Sequence, residues 1–524
     1  MPASVLSSPL SSAAPGHGRL RRARWMIGVL ALACVACAGP RQGVPEPARP
    51  DEDLQAMRAQ LPARWTAAAE GDALEAWAAA RGSDDAAVGW AGWDDPLLAQ
   101  LLSIARQRSA DLAVSQALLE AARAERRVAA AVDAGQIELT GGVRRGRPDR
   151  DKALHDAASL ALQGRWEPDL SGRGAATRAQ SEAALEEAGA GHAATAAALA
   201  VETAETYVAR RGCEALALLE RALLRSWQRS AEDQGRLADA GLLADALRAR
   251  ASAAVASAEA RVLAVEARCD RLLLPLERLT GLPPDTLGRW LAEQPGRLPV
   301  APAGDAGTLP AGLLAARPDL RQAIARLRQA AARQDLAASA RWPRVSLSGL
   351  IGVGRHDSAL TGSDSGAIWS LGPLQITLPL LDGGAAGART AAARARYDAA
   401  RAALLGTLRR ALQEVQQAQA DLADAGRRLT PLWQAADALG RAHEAARRRE
   451  SAGLGDRLQT EAARRDALTA QQTLIACQLQ RLQAWIALHH ALGGAPDPAP
   501  TPAPARGNAF RPSLIDPSSP GVPR

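Results

Sequence analysis

Among the 524 residues, few side chains have types and spacing that could do chemistry, and none is arranged for catalysis. The seven histidines lack metal-ligand spacing of the HExxH kind. His489-His490 falls at a helix end near Gly493, where imidazoles suit the helix dipole better than a metal. Gly349, Gly352 and Gly354 imitate a phosphate loop, but they lie inside an alternating strand with no helix directly behind it, so that reading fails. With no constellation of nucleophile, base or paired acids, the sequence predicts no catalytic residue, no metal site and no cofactor beyond a covalent lipid.

The lipid comes from the cysteines near the N-terminus. Arg19, Arg21, Arg22 and Arg24 precede a short apolar run, Trp25 to Ala36, too short to span a bilayer and ending in small residues. This is a secretory signal of the lipoprotein kind, in which the thiol after the cleavage point is acylated. Cys34 follows Ala-Leu-Ala and Cys37 follows Cys-Val-Ala, so the local sequence does not choose between them.

Two further cysteines, Cys213 and Cys269, stand 28 residues before and 28 after Gly241. If Gly241 is the tip of an antiparallel helical hairpin, they are level. They then form either a disulfide, which an exported compartment permits, or two buried free thiols. Charges follow the two candidate tip glycines: Asp245 and Arg248 after Gly241, Asp456 and Arg457 after Gly453. Exposed ion pairs contribute little one by one. These residues are therefore either solvated tip charges or, repeated around a narrow pore, a ring that focuses the field on passing ions.

The elements that must position these residues are used twice. Asp111-Leu112 and Asp319-Leu320, each opening an amphipathic helix, are 208 positions apart, as are Ile137-Glu-Leu-Thr140 and Val345-Ser-Leu-Ser348. Trp166-Glu-Pro168-Asp-Leu170-Ser-Gly172 recurs as Thr377-Leu-Pro379-Leu-Leu381-Asp-Gly383 after 211 positions, and Ala240-Gly-Leu242 as Ala452-Gly-Leu454 after 212. Four ordered anchors at nearly constant offset define an internal repeat.

Within each unit the hydrophobic period changes. Ile137, Leu139 and Val143, then Leu160, Leu162 and Trp166, alternate with polar neighbours, as do Val345, Leu347, Ile351 and Val353, then Leu374, Ile376 and Leu378. Period two with one apolar face predicts half-wet strands of about ten residues, the length of a tilted membrane crossing. Four strands cannot close a barrel of useful bore, so they either sit in a small sheet or are completed by strands from other subunits. In the long helical stretches, Leu408, Val415, Leu422 and Leu429 recur every seven residues with Ala411, Ala418 and Ala425 between them, and Leu468, Ile475 and Leu482 repeat likewise. This coiled-coil seam of small residues allows close helix approach. A continuous helix from Gly174 to Gly241 would span roughly 100 Å. Pro96 is expected to begin a helix running to about Ala134, and Pro431 to bend or break the second hairpin. Aromatics make up 3% of residues, and the formal charge of +7 is Arg scattered among Asp and Glu, without the basic stripe and aromatics of a nucleic-acid binder.

These features together resemble the outer-membrane efflux protein family typified by TolC, and more closely its NodT and OprM-like lipoprotein branch. The motifs are Cys37-Ala-Gly-Pro40, Trp166-Glu-Pro-Asp-Leu-Ser-Gly-Arg173, Arg317-Pro-Asp-Leu320 with Trp342-Pro-Arg-Val-Ser-Leu347, Leu371-Gly-Pro373 through Gly384, and His490-Ala-Leu-Gly-Gly494. The first favours Cys37 as the acylated residue. Ile324 stands where the branch usually has Glu, Ala462 replaces part of a Leu-Asp-Ala-Gln run, and girdle aromatics are scarce.

The resemblance implies a mainly α fold with β: a duplicated helix, strand pair and helical hairpin. A homotrimer would join four strands per protomer into one β-barrel above a long α-helical barrel. It divides the chain into a signal peptide (1–36), a tether and periplasmic segment (37–96), two efflux repeats (97–308 and 309–494) and a Pro-rich tail (495–524). It also implies a passive outer-membrane exit duct extending into the periplasm, with a periplasmic adaptor, an inner-membrane RND-type transporter and outer-membrane lipid as partners. Charges after the tip glycines, here Asp245 and Asp456 with Arg248 and Arg457, would hold the periplasmic end closed, and the second hairpin is expected to move on opening. A lipid-anchored coiled-coil adaptor or scaffold is the alternative, although an adaptor would carry one hairpin and a lipoyl-like β domain.

Overall fold

The computed structural model of the chain describes residues 48–59, 90, 93–146, 155–301, 317–358 and 362–493. Cys34, Cys37, the signal segment and the Pro-rich tail lie outside the described residues. After α1 (Pro50–Ala59), the first repeat runs α2 (Pro96–Arg108), α3 (Ala110–Ala130), β1 (Gln136–Gly146), β2 (His155–Trp166), α4 (Arg173–Asp239) and α5 (Asp245–Arg271), then the short α6 (Leu273–Thr280) and α7 (Pro284–Ala292). The second runs α8 (Pro318–Ser339), β3 (Arg344–Ser358), β4 (Gly362–Thr377), α9 (Ala385–Ser451) and α10 (Arg457–Ala491).

The helical stretch expected from Pro96 to about Ala134 is two helices, the second opening beside Asp111-Leu112 as the repeat implied. Ser109 is extended (ψ 121°), and its hydroxyl accepts from the Leu112 amide of the next helix while its own amide donates to Ala105. A serine that caps the new helix makes such a break cheap.

Both long helices have 67 residues, or roughly 100 Å each. Ala411, Val415, Ala418 and Ala425 of the predicted seam are buried, as are Leu468, Ile475 and Leu482 on α10. Pro431 does not break α9, which runs through it. Pro431 and Arg427, whose carbonyl loses its amide partner, are both exposed, so water can take that bond while buried Ala425 and Ala436 hold the axis.

The four strands form one antiparallel sheet in the order β1-β2-β3-β4. Register places Leu139, Leu162, Ile351 and Trp369 in one row across it, and Gly141, Leu160, Val353 and Ala367 in the next row away from the helices. From Val345 to Val353 this face carries no charge and spans about 27 Å along the strand, close to the ~25 Å lipid-facing band of an outer-membrane barrel. Trp166 and Trp369 lie on it, and Trp342 just below it, all exposed; these are the aromatics that the band possesses. A bulge in β4 opposite Leu347 and Gly349 accommodates Pro373, which has no amide to donate to the ladder. Gly352 is required by packing: a Cβ there would lie 2.2 Å from the Leu160 carbonyl oxygen.

Below the sheet the repeats are locked by buried polar joints. Arg317 is buried and reaches Asp319 (2.9 Å), Glu414 (2.6 Å) and the carbonyl of Ala491 (2.6 Å), so the Arg-Pro-Asp and C-terminal Gly-Gly motifs are two halves of one junction. Ile324, in place of the family's Glu, packs against the adjoining core of Leu320, Leu327, Tyr397 and Leu404. The chain's two tyrosines tie down the N-terminal segment: Tyr207 donates to Asp95 at 2.7 Å and Tyr397 to Asp53 of α1.

His489 does not serve as a charged helix end. It is buried, stacked on Trp485 and edge-on to Trp90, and burial with His490 nearby pushes its pKa down to about 4. It is an aromatic core residue, kept neutral by the apolar cluster around it.

Candidate functional site

Two regions carry the features that the sequence singled out: the hairpin tips and the sheet. At the first tip Gly241 has φ +74°, and at the second Gly453 has φ +71°, the left-handed conformation that glycine adopts without strain. The amide of Leu242 donates to the Leu237 carbonyl (2.8 Å) and that of Leu454 to Arg449 (2.9 Å), closing the same helix-ending motif in both repeats. Each turn leaves the following leucine, Leu242 or Leu454, 74% exposed.

The four tip charges do not meet one another. Arg248 pairs with Asp239 and donates to the Gly235 carbonyl at 3.1 Å, all within the first hairpin. Asp456 caps α10 by accepting from the Leu458 amide at 3.0 Å. Arg457 crosses to the first hairpin and pairs with Asp233 at 3.1 Å. Asp245 is exposed in the first turn of α5. Among the described residues neither Asp245 nor Asp456 forms an ion pair within the protomer.

The stronger link between hairpins lies above the tips and was missed from sequence. Arg229 on α4 makes two bonds to Glu461 on α10, at 2.6 and 3.1 Å. Ser226 donates to the Glu461 carbonyl, and Arg465 donates to Ser226 (3.2 Å) and Ser230 (2.8 Å) while its guanidinium lies 4.0 Å from the Trp227 ring centre. Burial alone would raise the Glu461 carboxyl, but the two hydrogen bonds from Arg229 and its charge hold it below the usual carboxylate range. Burial and the neighbouring cations Arg229 and Arg225 lower Arg464 beside it. A charged residue every few positions on an alanine-rich helix looks like solvated surface, so nothing local marks this pair.

Cys213 and Cys269 are joined by a disulfide between α4 and α5, with Cα atoms 5.5 Å apart. The remaining described cysteine, Cys477 on α10, is buried, and its Sγ lies 3.5 Å from the Ala425 carbonyl on α9. By the tip offset of 212, Ala425 is the counterpart of Cys213 and Cys477 that of Val265, four residues short of the Cys269 position. The second repeat therefore lacks the level cysteine pair of the first.

The family sequence model described as "Outer membrane efflux protein" matches residues 101–282 and 309–494. The chain is 29% identical to the outer membrane protein OprJ of Pseudomonas aeruginosa over 76% of this chain and 84% of that protein. It is also 29% identical to the toluene efflux pump outer membrane protein TtgI of Pseudomonas putida over 76% and 86%. Among solved structures, it superposes on the outer-membrane channel OprN with a TM-score of 0.70 at 28% identity, covering 84% of this chain and 99% of that one. The fold is shared with the open-state outer membrane channel MtrE of Neisseria gonorrhoeae (TM-score 0.68, 22% identity, 83% and 96% covered).

Proposed function

The chain belongs to the outer membrane efflux protein family, and from that premise we propose that it is the outer-membrane channel subunit of a tripartite efflux pump. It is a passive duct, not an enzyme. The observation that carries this reading is the sheet: one apolar face of membrane height, one polar face, and two outer edges, on β1 and β4, left unpaired within the protomer. Unpaired strand edges cannot face lipid. Three copies pairing β4 to β1 supply twelve strands, close the barrel with the polar face inward, and continue below as a tube of helices.

The exposed Leu242 and Leu454 tips support docking of a periplasmic adaptor there, with an inner-membrane transporter of the RND type supplying the energy. Acylation of Cys37 fits the same plan. The 12 residues from Ala38 to Arg49 reach at most ~40 Å, while Tyr397, which holds α1, lies only about 18 Å down α9 from its membrane end. Small toxic compounds are the cargo, as names such as antibiotic and toluene efflux pump among the relatives support.

Purified protein is expected to cross-link as a trimer and to form channels in planar bilayers. Its deletion is expected to sensitise the host to such compounds. Normal susceptibility in a strain with no second outer component, or a monomer that forms no channels, would overturn the proposal. Neutralising the tips with Asp245→Asn and Asp456→Asn is expected to raise single-channel conductance; an unchanged conductance in assembled trimers would exclude those two residues from the gate.

A further inference from the structure

Resting on the channel reading, we infer that the periplasmic mouth of the barrel is a basic collar that favours anionic cargo, solutes bearing carboxylate, sulfonate or phosphate groups. Register decides which side chains face the pore. Arg165 pairs with Gln136 on one side and Ser348 on the other, and Ser348, Ser346 and Arg344 share its face by the period of two. That face is opposite the charge-free band of Leu162 and Ile351, so both guanidiniums point into the lumen when the barrel closes.

Arg165 and Arg344 also line one recess of about 220 Å³ at the strand-to-helix junction, together with Arg173 from the start of α4. All three arginines are exposed, and none makes an ion pair among the described residues. The nearby acids are largely engaged. Asp133 pairs with Arg178, and Asp169 accepts from the Ala175 amide at 2.8 Å. Glu167 on the recess wall remains, with Glu138 one row up the lumen. Toward the far rim the polar face carries Arg144 together with Asp364.

At the mouth, three guanidiniums thus stand against the carboxylates of Glu167 and Asp169, the latter keeping its charge although it caps α4. Threefold repetition makes nine cations against six carboxylates, a positive surplus around a water-filled bore whose outer wall is lipid. Field lines concentrate in such a bore, so the collar attracts anions and repels cations far more than solvated surface arginines would.

Full-length trimers in planar bilayers under an asymmetric KCl gradient test this. Wild-type channels are expected to reverse on the chloride-preferring side. Arg165→Ser with Arg344→Ser is expected to lower the chloride-to-potassium permeability ratio roughly threefold or more, while the double lysine variant keeps it. A naphthalene trisulfonate added from the extracellular side is expected to block wild-type current reversibly, and a neutral naphthalene diol is not. Channels of ordinary conductance whose reversal potential ignores the serine pair would overturn the collar. So would wild-type channels that the trisulfonate does not block, a measurement independent of how the variants fold. Failure of the wild type to form any channel would instead overturn the channel reading itself.

Discussion

Glu461 sits with its carboxylate on Arg229 and with Arg464 and Arg225 close by, so it is the counter-charge for a small cluster of cations between the two hairpins. Glu461→Ala leaves those cations uncompensated and is expected to cost about 3 kcal/mol, because stranding a largely buried charge costs more than the pair itself contributes. A thermal melt followed by circular dichroism reads the loss, and a melt unchanged by Glu461→Ala would exclude the clasp. His489 makes a prediction of opposite character. Its ordinary pKa of 6.5 is depressed to about 4 in the fold, so the folded state prefers the neutral ring. The stability it contributes is fully present above pH 6.5 and is lost as pH falls from there toward 4, up to roughly 3 kcal/mol per protomer. His489→Phe should flatten that part of the melting-temperature profile in detergent; a profile as steep as the wild type's would place the titration elsewhere.

At the scale of elements, the two hairpins differ in how they are fastened. The first is stapled by Cys213 and Cys269, which close a loop of 56 residues. Cys213→Ser with Cys269→Ser is expected to cost up to roughly 4 kcal/mol by chain entropy, and less if the unfolded hairpin stays compact. Chemical denaturation with and without reductant measures it. The second hairpin has no such staple: Cys477 packs against Ala425 as a free, buried thiol. The strand elements have their own constraint at Gly352, where any side chain meets the β2 backbone. Gly352→Val should prevent barrel assembly, read as loss of the trimer band.

For the whole molecule, three design needs are met by different parts of one repeated unit. The sheet supplies a lipid-facing wall, the 67-residue helices supply reach, and the glycine turns between them close each hairpin. The lumen is polar at the barrel and its mouth is basic. At the tips, among the described residues, Asp245 and Asp456 form no ion pair within the protomer, and Asp456 caps α10. The conductance of the tip variants and the selectivity of the collar variants are therefore separable measurements, one on the gate and one on the barrel.

Much of this was legible in the residues. The offsets of 208 to 212 define the repeat, period two marks the four strands, the tip glycines mark the turns, and level cysteines mark a possible staple. These are local or periodic signals, and they survive because backbone geometry imposes them wherever the chain goes. Tertiary structure alone decided the rest. It joined Arg229 to Glu461 across 232 positions, buried His489 among tryptophans, and carried α9 unbroken through Pro431. It also made one junction of Arg317 and the Ala491 carbonyl. A charged residue, a histidine or a proline has the same local sequence whether it faces water or a partner. Its role is set by which distant element packs against it, and that information is not local.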